Sequence, residues 1–545
     1  MNISIINIFI FFLWLCSALF DYSHFSHLWQ LKEYRLDRFR DFLHTKKGKQ
    51  YFLQIPLVWK VLFCVVAVFV PLNHIPLVKL LILVGFFLDV VYAILSYTHK
   101  QLKRPIVTPK IILLLLSSMF VEGSLFLFFR DWTFLLFIVP FRYFLFVGMI
   151  FVFQFPTGWA KNIIIYRAKQ RLLRYPKLLV IGITGSFGKT STKEFLSQIL
   201  EGTYRLVKTP QNVNTDIGIA KFILKTDFRD VQVFVVEMGA YRVGEIQRIC
   251  NIVSPKIGIL TAVNEQHLSL FGSINNTKIT KGELLHALPD DGLAVVNADN
   301  AHCRDIVRDV NASVQMFGLD PAFHPDCLIV DVKQEKQYLV CSFQIGGERF
   351  DVSPTLWGEH NAHNLASVIL VAHYLNISFD DIRDRIEHLE SVRGTLKMYH
   401  YGRSIVIDDS YNSNPEGFRS ALNVLTQFGS SRARVVITRG MLELGETSDE
   451  KHEIVGGEIA YSVDHLILIS RDFEEPLRRG VGSKFHTDVR IIDSPERLLS
   501  YVRTLYNQQS VILVENRIPV LVKNELMSSE SLLTPEETVA RMNGN

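Results

Sequence analysis

Nine residues, Gly182-Ile183-Thr184-Gly185-Ser186-Phe187-Gly188-Lys189-Thr190, are the stretch of this 545-residue chain best suited to hold a phosphate group. Glycines let backbone N–H groups approach phosphate oxygens, a lysine neutralises the β- and γ-oxygens, and a threonine hydroxyl can ligate Mg²⁺. The stretch follows an apolar, strand-like run and precedes the helix-like segment Thr192 to Leu200. Ile183 stands where the strict phosphate-loop spacing has its first glycine. The motif therefore points to ATP without naming a family by itself.

A phosphate loop works only where a sheet presents it, and the surrounding sequence supplies one. From Lys177 onward, short β-branched runs alternate with amphipathic stretches: Leu178 to Thr184, Val231 to Glu237, Ile257 to Ala262 and Leu293 to Val296. A second series covers Ile405 to Asp408, Arg434 to Thr438, His465 to Ile469 and Val511 to Val514. This rhythm predicts two α/β domains with mainly parallel sheets, 177–396 and 397–545, divided near Lys397.

The first 155 residues have a different texture. Five apolar stretches, near Ile3 to Phe20, Phe52 to Leu72, Ile75 to Tyr97, Ile111 to Phe129 and Trp132 to Phe155, are each long enough to cross about 30 Å of hydrocarbon. They predict a membrane domain of five helices over 1–155, followed by a basic cytoplasmic linker over 156–176. The first stretch lacks the positive leading region and small-residue cleavage site of a signal peptide. Lys32, Arg35, Arg38, Arg40, Lys46, Lys47 and Lys49 follow the first span, and Lys100, Lys103, Arg104 and Lys110 follow the third. Positive loops stay on the cytoplasmic side. The expectation is a multi-pass protein of the cell (inner) membrane, with its N-terminus outside and its α/β domains cytoplasmic. Asp89, Glu122 and Arg142 fall mid-span, where a lone charge costs about 2.5–3.5 kcal/mol, so they should face one another or a polar ligand such as a lipid head group.

Composition narrows the alternatives. With 48% hydrophobic and 21% charged residues the chain is not disordered, and a net charge of +4 gives no sign of a nucleic-acid partner. The six cysteines show no zinc-type spacing and are expected to be reduced.

A wider constellation resembles a known family. Thr184 to Thr190, Asn212-Val213-Asn214-Thr215-Asp216-Ile217-Gly218, Val236-Glu237-Met238-Gly239-Ala240, His267-Leu268, Lys281-Gly282-Glu283, Asn297-Ala298-Asp299, Gly358-Glu359-His360-Asn361 with Asn364, and Asp408-Asp409-Ser410-Tyr411-Asn412 with Asn414-Pro415 closely resemble the Mur ligases, and among them the MurF type. The resemblance spans about Leu178 to Val514 and implies an α-helical membrane domain followed by a P-loop Mur ligase central domain and a Rossmann-like Mur ligase C-terminal domain. It also implies an ATP-dependent, ADP-forming ligase that activates a carboxylate as an acyl phosphate and joins it to an amine such as D-Ala-D-Ala in peptidoglycan precursor synthesis.

The same resemblance implies roles for individual residues. Lys189, Lys281, His267 and Asp409 would be catalytic. Thr184, Gly185, Ser186, Gly188, Lys189, Thr190, Asn361 and Asn364 would hold ATP. Thr190, Glu237, His267 and Lys281 would hold two Mg²⁺, with Lys281 as a carbamate. Asn212, Asn214, Thr215, Asp216, Tyr411, Asn412 and Asn414 would meet substrate.

Three departures bear on the substrate. Membrane spans occupy the place of the family's soluble UDP-sugar domain, the family's junction Gly-Arg reads Arg393-Gly394-Thr395, and its late Lys-Gly-Ser-Arg is replaced by Glu515-Asn516-Arg517. The acceptor is accordingly a muramyl peptide or similar carboxylate, soluble or lipid-linked, with membrane lipid as a further partner. A non-catalytic nucleotide-binding scaffold is the alternative, and intact Lys189, Thr190, Glu237, His267 and Lys281 argue against it.

Overall fold

The computed structural model describes residues 3–32, 34, 36–44, 60, 75–98, 104–129, 132–264, 268–390, 396–410, 413–428, 431–442, 444, 447–482, 486–527, 533 and 537. The chain forms two compact units, Met1–Asn162 and Ile163–Asn545.

The first unit contains helices α1 (Ile3–Leu31), α2 (Leu36–His44), α3 (Ile75–Thr98), α4 (Pro109–Phe129) and most of α5 (Trp132–Leu172). Among the described residues, four helices are long and apolar enough to cross a membrane. The second apolar stretch, Phe52 to Leu72, lies outside the described residues except for Lys60. Phe12, Phe120, Phe128 and Phe144 are exposed on outward faces, which suits a hydrocarbon surround and would be unfavourable in water.

Two boundaries differ from the sequence reading. Helix α1 continues past Phe20 to Leu31, because Asp21 is tolerated inside the unit by ion pairing. Helix α5 continues to Leu172 through most of the segment expected to be a linker. Lys, Arg and Gln are good helix formers, and Ala168 and Leu172 on this segment are buried in the core of the second unit.

The charges inside the first unit find one another. Arg142, fully buried, donates through Nε to both oxygens of Glu122 at 3.1 Å and through Nη2 to Glu122 Oε1 at 2.8 Å. Its Nη1 donates to Ser17 Oγ at 2.6 Å and to Asp21 Oδ2 at 3.0 Å. Glu122 also accepts from the Trp14 indole at 2.6 Å and the Tyr22 hydroxyl at 2.9 Å. Lys60 lies 2.6 Å from Asp21 and 3.2 Å from Asp89. Three carboxylates thus face two cations, a net charge of −1 when all are ionised. Among the described residues such a cluster locks helix packing, with each charge facing an opposite one. Asp21 and Lys60 were not among the mid-span charges singled out from sequence: Asp21 lies just beyond the apolar stretch, and Lys60 is a single cation within one.

The second unit holds two sheets. In the first, nine strands run in the order β2-β3-β1-β4-β5-β6-β7-β8-β9. They are β1 (Leu179–Thr184), β2 (Leu206–Lys208), β3 (Val233–Glu237), β4 (Ile257–Leu260), β5 (Leu293–Asn297), β6 (Ser313–Gly318), β7 (Cys327–Glu335), β8 (Tyr338–Ile345) and β9 (Glu348–Val352). Pairing is parallel as far as β6–β7, and then β7, β8 and β9 form an antiparallel meander that the sequence reading did not contain. One face of the meander, with Ile329, Leu339, Cys341, Phe343 and Val352, completes the core. Gly346 and Gly347 turn β8 into β9 with φ of 59° and 91°, values that a two-residue hairpin of the primed type needs.

The second sheet has the order β10-β11-β15-β12-β13-β14. These strands are β10 (Lys397–Tyr401), β11 (Ser404–Asp409), β12 (Ala433–Thr438), β13 (His465–Leu468), β14 (Asp488–Ile491) and β15 (Ser510–Glu515), all parallel except the edge strand β10. Cys16, Cys250, Cys303, Cys327 and Cys341 are free thiols, and Cys64 lies outside the described residues.

Candidate active site

The phosphate loop leaves the carboxyl end of β1, between β3 and β4, and enters helix α6 (Lys189–Glu201). Ligands of open α/β sheets bind at such carboxyl ends, where the strand order reverses. Gly185 and Gly188 have φ of 153° and 78°, and a Cβ on either would collide, at Gly185 with Thr261 Oγ1 and at Gly188 with Asn364 Oδ1. The loop is tied to the end of β4: Ser186 N donates to Ala262 O at 2.7 Å, and the Ser186 hydroxyl accepts from Asn264 N at 2.9 Å. Thr184 is buried and donates to Met238 O at 3.0 Å. Thr184 and Ser186 therefore shape the loop, which leaves phosphate contact to its backbone, to the unsatisfied N–H groups opening α6 and to Lys189. Lys189 Nζ currently donates to Gly185 O at 2.6 Å and Ser186 O at 3.2 Å, and burial lowers its proton affinity while Glu237 raises it.

Glu237 closes β3 almost fully buried. Its Oε2 accepts from the Thr190 hydroxyl at 3.1 Å and its Oε1 from Asn214 Nδ2 at 3.3 Å. A hydroxyl and a carboxylate side by side are the hard oxygen donors magnesium takes, so these two residues fit a Mg²⁺ ion that would keep several waters. The fit does not depend on a protein cage: among the described residues no three His, Cys, Asp or Glu side chains converge on one metal position. Glu237 does not cap the following helix Glu245–Val253. Glu283 does, accepting from Gly244 N at 2.5 Å and Gln247 N at 2.9 Å.

Lys281 lies on the helix Ile274–His286, only 4% exposed. Because Glu283 is committed to that cap, Lys281 has no carboxylate partner among the described residues. Burial and the neighbouring Lys189 push its proton affinity well below the usual lysine range. An uncharged amine is the form that adds CO₂, so the site fits a carbamate, which would be a further oxygen ligand. His267, the remaining expected metal ligand, lies outside the described residues.

Lys193 was missed in the sequence. It is fully buried one turn beyond Thr190 on α6, and its ammonium stands 3.2 Å from Glu237 Oε2 and 3.3 Å from Glu194 Oε1. The available signal was its spacing of three from Thr190, which puts both side chains on the helix face toward β3.

Other expected contacts are placed differently. Asn361 and Asn364, on the helix Asn361–Tyr374, are buried in a chain of their own: Asn361 Nδ2 donates to Trp357 O at 2.8 Å, and Asn364 Nδ2 donates to Asn361 Oδ1 at 2.8 Å. Asn364 Oδ1 accepts from Thr192 at 3.2 Å and backs Gly188, so this pair supports the loop from below. Thr215 caps the helix Asp216–Lys225, accepting from Gly218 N, and Asp216 accepts from Ile217 N and faces Arg248 at 3.6 Å. Asn212 takes a left-handed backbone at φ 65°. Asn414 caps the helix Pro415–Gln427 by accepting from Gly417 N at 2.9 Å. Tyr411, Asn412 and the junction Arg393-Gly394-Thr395 lie outside the described residues. Asp409 ends β11, half-buried, next to Glu515. The two α/β domains meet through Asn264 Nδ2 donating to Glu416 at 3.1 Å and through His360 beside Ser420 at 3.2 Å.

A phosphate loop with an adjoining hydroxyl–carboxylate pair, on a parallel sheet joined to a second Rossmann-like domain, defines a two-domain P-loop protein of the nucleotide-dependent class. The Mur ligase middle domain matches residues 183–372, and the Mur ligase, glutamate ligase domain matches residues 396–515. The chain belongs to the Mur ligase family. Relatives include the UDP-N-acetylmuramoyl-tripeptide–D-alanyl-D-alanine ligase of Escherichia coli, 27% identical over 325 residues, covering 59% of this chain and 71% of the relative. The ligase of that name from Synechocystis is 29% identical, covering 54% of this chain and 62% of its own length. Among solved structures, MurF from Acinetobacter baumannii aligns with a TM-score of 0.59 at 24% identity, over 68% of this chain and 80% of that one. MurF from Thermotoga maritima in complex with ADP aligns with a TM-score of 0.58 at 24% identity, over 70% and 84%. These likenesses to solved structures establish the shared fold.

Proposed function

We propose that this protein is an ATP-dependent, ADP-forming ligase of MurF type, which joins the carboxylate of a muramyl peptide to an amine such as D-Ala-D-Ala in peptidoglycan precursor synthesis. The observation that carries this reading is the meeting of Lys189, Thr190, Glu237 and Lys281 around the ends of β1 and β3. When bound, ATP with Mg²⁺ supplies the γ-phosphoryl that turns a poor hydroxide leaving group on the acceptor carboxyl into phosphate. Lys189 turns from the loop carbonyls to the phosphate oxygens. Thr190 and Glu237 would hold a Mg²⁺ ion, and a carbamate on Lys281, with His267, would hold a second. Asp409 would face the incoming amine, and exclusion of water there would protect the acyl phosphate.

The acceptor follows from the first unit. Helices precede β1 where the family's UDP-sugar domain would stand, so a lipid-linked muramyl peptide is the second reading. It is supported by the apolar outer faces of α1, α4 and α5. A cleft of about 610 Å³ begins at Thr190, and its walls carry Lys208, Arg385 and Lys397 together with Glu194, Glu201 and Glu390. Purified full-length protein in detergent, given ATP, Mg²⁺ and D-Ala-D-Ala, tests both acceptors in parallel. A dipeptide mass gain on UDP-MurNAc-tripeptide makes the helices an anchor. A gain confined to the lipid-linked form makes the membrane unit part of the substrate site, and phosphate release with neither removes the ligase reading.

The location that goes with this reading is the cell (inner) membrane, the protein being multi-pass with the N-terminus outside and both α/β domains cytoplasmic. The basic residues after the first and third apolar stretches support that orientation. A reporter inserted at Gly48 should read cytoplasmic, and an exterior signal there would overturn the topology.

A further inference from the structure

Glu515 ends β15, where the register pairs it with Asp409 on β11 and Thr438 on β12. Register partners on neighbouring parallel strands, about 4.8 Å apart, project to the same face of a sheet. Here that face also carries Ile407, Leu513 and Val436 into the core, so the two carboxyl groups stand side by side at its carboxyl rim. Glu515 is 0% exposed, and neither of its carboxyl oxygens has a hydrogen-bond partner among the described residues. The Ser413 hydroxyl is a near neighbour of its carboxyl group.

The charges around the pair do not neutralise it. Asp408, one residue earlier on β11, projects to the opposite face. Lys523, from the helix Val520–Leu526, serves that face, 3.9 Å from Asp408 and donating to Ser410 Oγ at 2.8 Å. Asn516 is committed to Gly440 O at 2.7 Å, and Thr438 Oγ1 accepts from Gly440 N at 2.9 Å. Two adjoining carboxyl groups, Glu515 fully buried and Asp409 half-buried, with no cation between them among the described residues, do not both ionise readily.

We propose that Glu515 stands as a neutral carboxylic acid donating its proton to the Asp409 carboxylate, which makes Glu515 the positioning residue for the group that deprotonates the incoming amine. The inference rests on the ligase reading for the amine, and on the strand register for the pair. The amine arrives as an ammonium ion, and Asp409 takes one N–H proton. The freed lone pair forms the new C–N bond as the C–O bond to phosphate breaks. Phosphate leaves with the electron pair of the broken C–O bond and takes up the second N–H proton, and Asp409 returns its proton to water. Glu515 keeps its own proton throughout. Burial raises both acids, Asp409 to about 7 and Glu515 well above the carboxylate range, and Asp408 and Asp409 add repulsion.

The sign follows. Asp409 must be ionised to accept a proton, so amide formation is present above about pH 7 and lost as pH falls through it. Fold stability runs the other way: acids whose proton affinity rises on folding contribute stability that is complete below about pH 4 and disappears as pH rises through 7.

The test uses the full chain in detergent, with infrared spectra and pH–rate profiles of the wild type, Glu515→Gln and Glu515→Leu. A protonated-carboxyl C=O band should be present in the wild type at pH 8 and absent from Glu515→Gln, a measurement that needs no turnover and no leucine variant. In kcat/KM for amide formation, Glu515→Gln should keep the acid limb, because its amide still donates. Glu515→Leu should move it up by about one unit, a loss of about fivefold at pH 7 that approaches tenfold at lower pH. A band unaltered by Glu515→Gln, or an acid limb unmoved in a folded Glu515→Leu, overturns the proposal. A band lost in Glu515→Gln with no amide formed by the wild type on either acceptor overturns the ligase reading and the part assigned to Asp409 in it, and leaves the shared proton established.

Discussion

Lys189→Ala is expected to lower ATP-dependent phosphate release by about 10³-fold, while the fold and its melting temperature remain close to wild type. The size follows from charge: transfer of a phosphoryl group leaves negative charge on oxygens in a dry site, and removing one preorganised donor there costs about 10²–10³ in rate. The stability side follows from the structure, where Lys189 makes two hydrogen bonds to loop carbonyls and leaves the buried core untouched. Measuring phosphate release and thermal unfolding on one preparation separates the two. Undiminished turnover would remove the phosphate-loop assignment, and with it the ATP-dependent mechanism.

The second large effect belongs to the membrane unit. Arg142→Ala should destabilise it by about 3–5 kcal/mol, because Glu122 is left as an uncompensated buried charge and Asp21 loses one of its two cations. Replacing the pair together, Glu122→Leu with Arg142→Met, should cost less than the single change, since apolar side chains of similar volume often replace a buried ion pair without loss. Unfolding of the full-length protein in detergent reads both variants. Equal destabilisation by the single and double changes would show that the pair itself holds the helices.

Much of the catalytic half was legible before folding because its signals are local. The Gly185 and Gly188 positions, the Lys189-Thr190 pair and the apolar runs of β1, β3, β11 and β15 are set by spacing within a few residues. The third Mur-like departure, Glu515, could be seen as a change of charge. Its meaning could not, because the neighbour that makes it an acid pair lies 106 positions earlier in the chain. Asn361 and Asn364 illustrate the reverse case. The resemblance implied nucleotide contact for both, and only the packing shows that their amides are hydrogen-bonded to one another, and that of Asn364 to Thr192, beneath Gly188.

The sequence by itself determined the phosphate loop, the two α/β domains and the apolar character of the first unit, since backbone preference and hydrophobic periodicity act over one helical turn or one strand. Only the tertiary structure decided that Lys193 would sit on Glu237, that Asp21 would share Lys60 with Asp89, that β7 to β9 would close the first sheet, and that Glu515 would stand beside Asp409. Each of these depends on strand register or helix packing between distant segments, and a buried charge or an unpaired strand edge is stabilised only by whatever partner that packing brings to it.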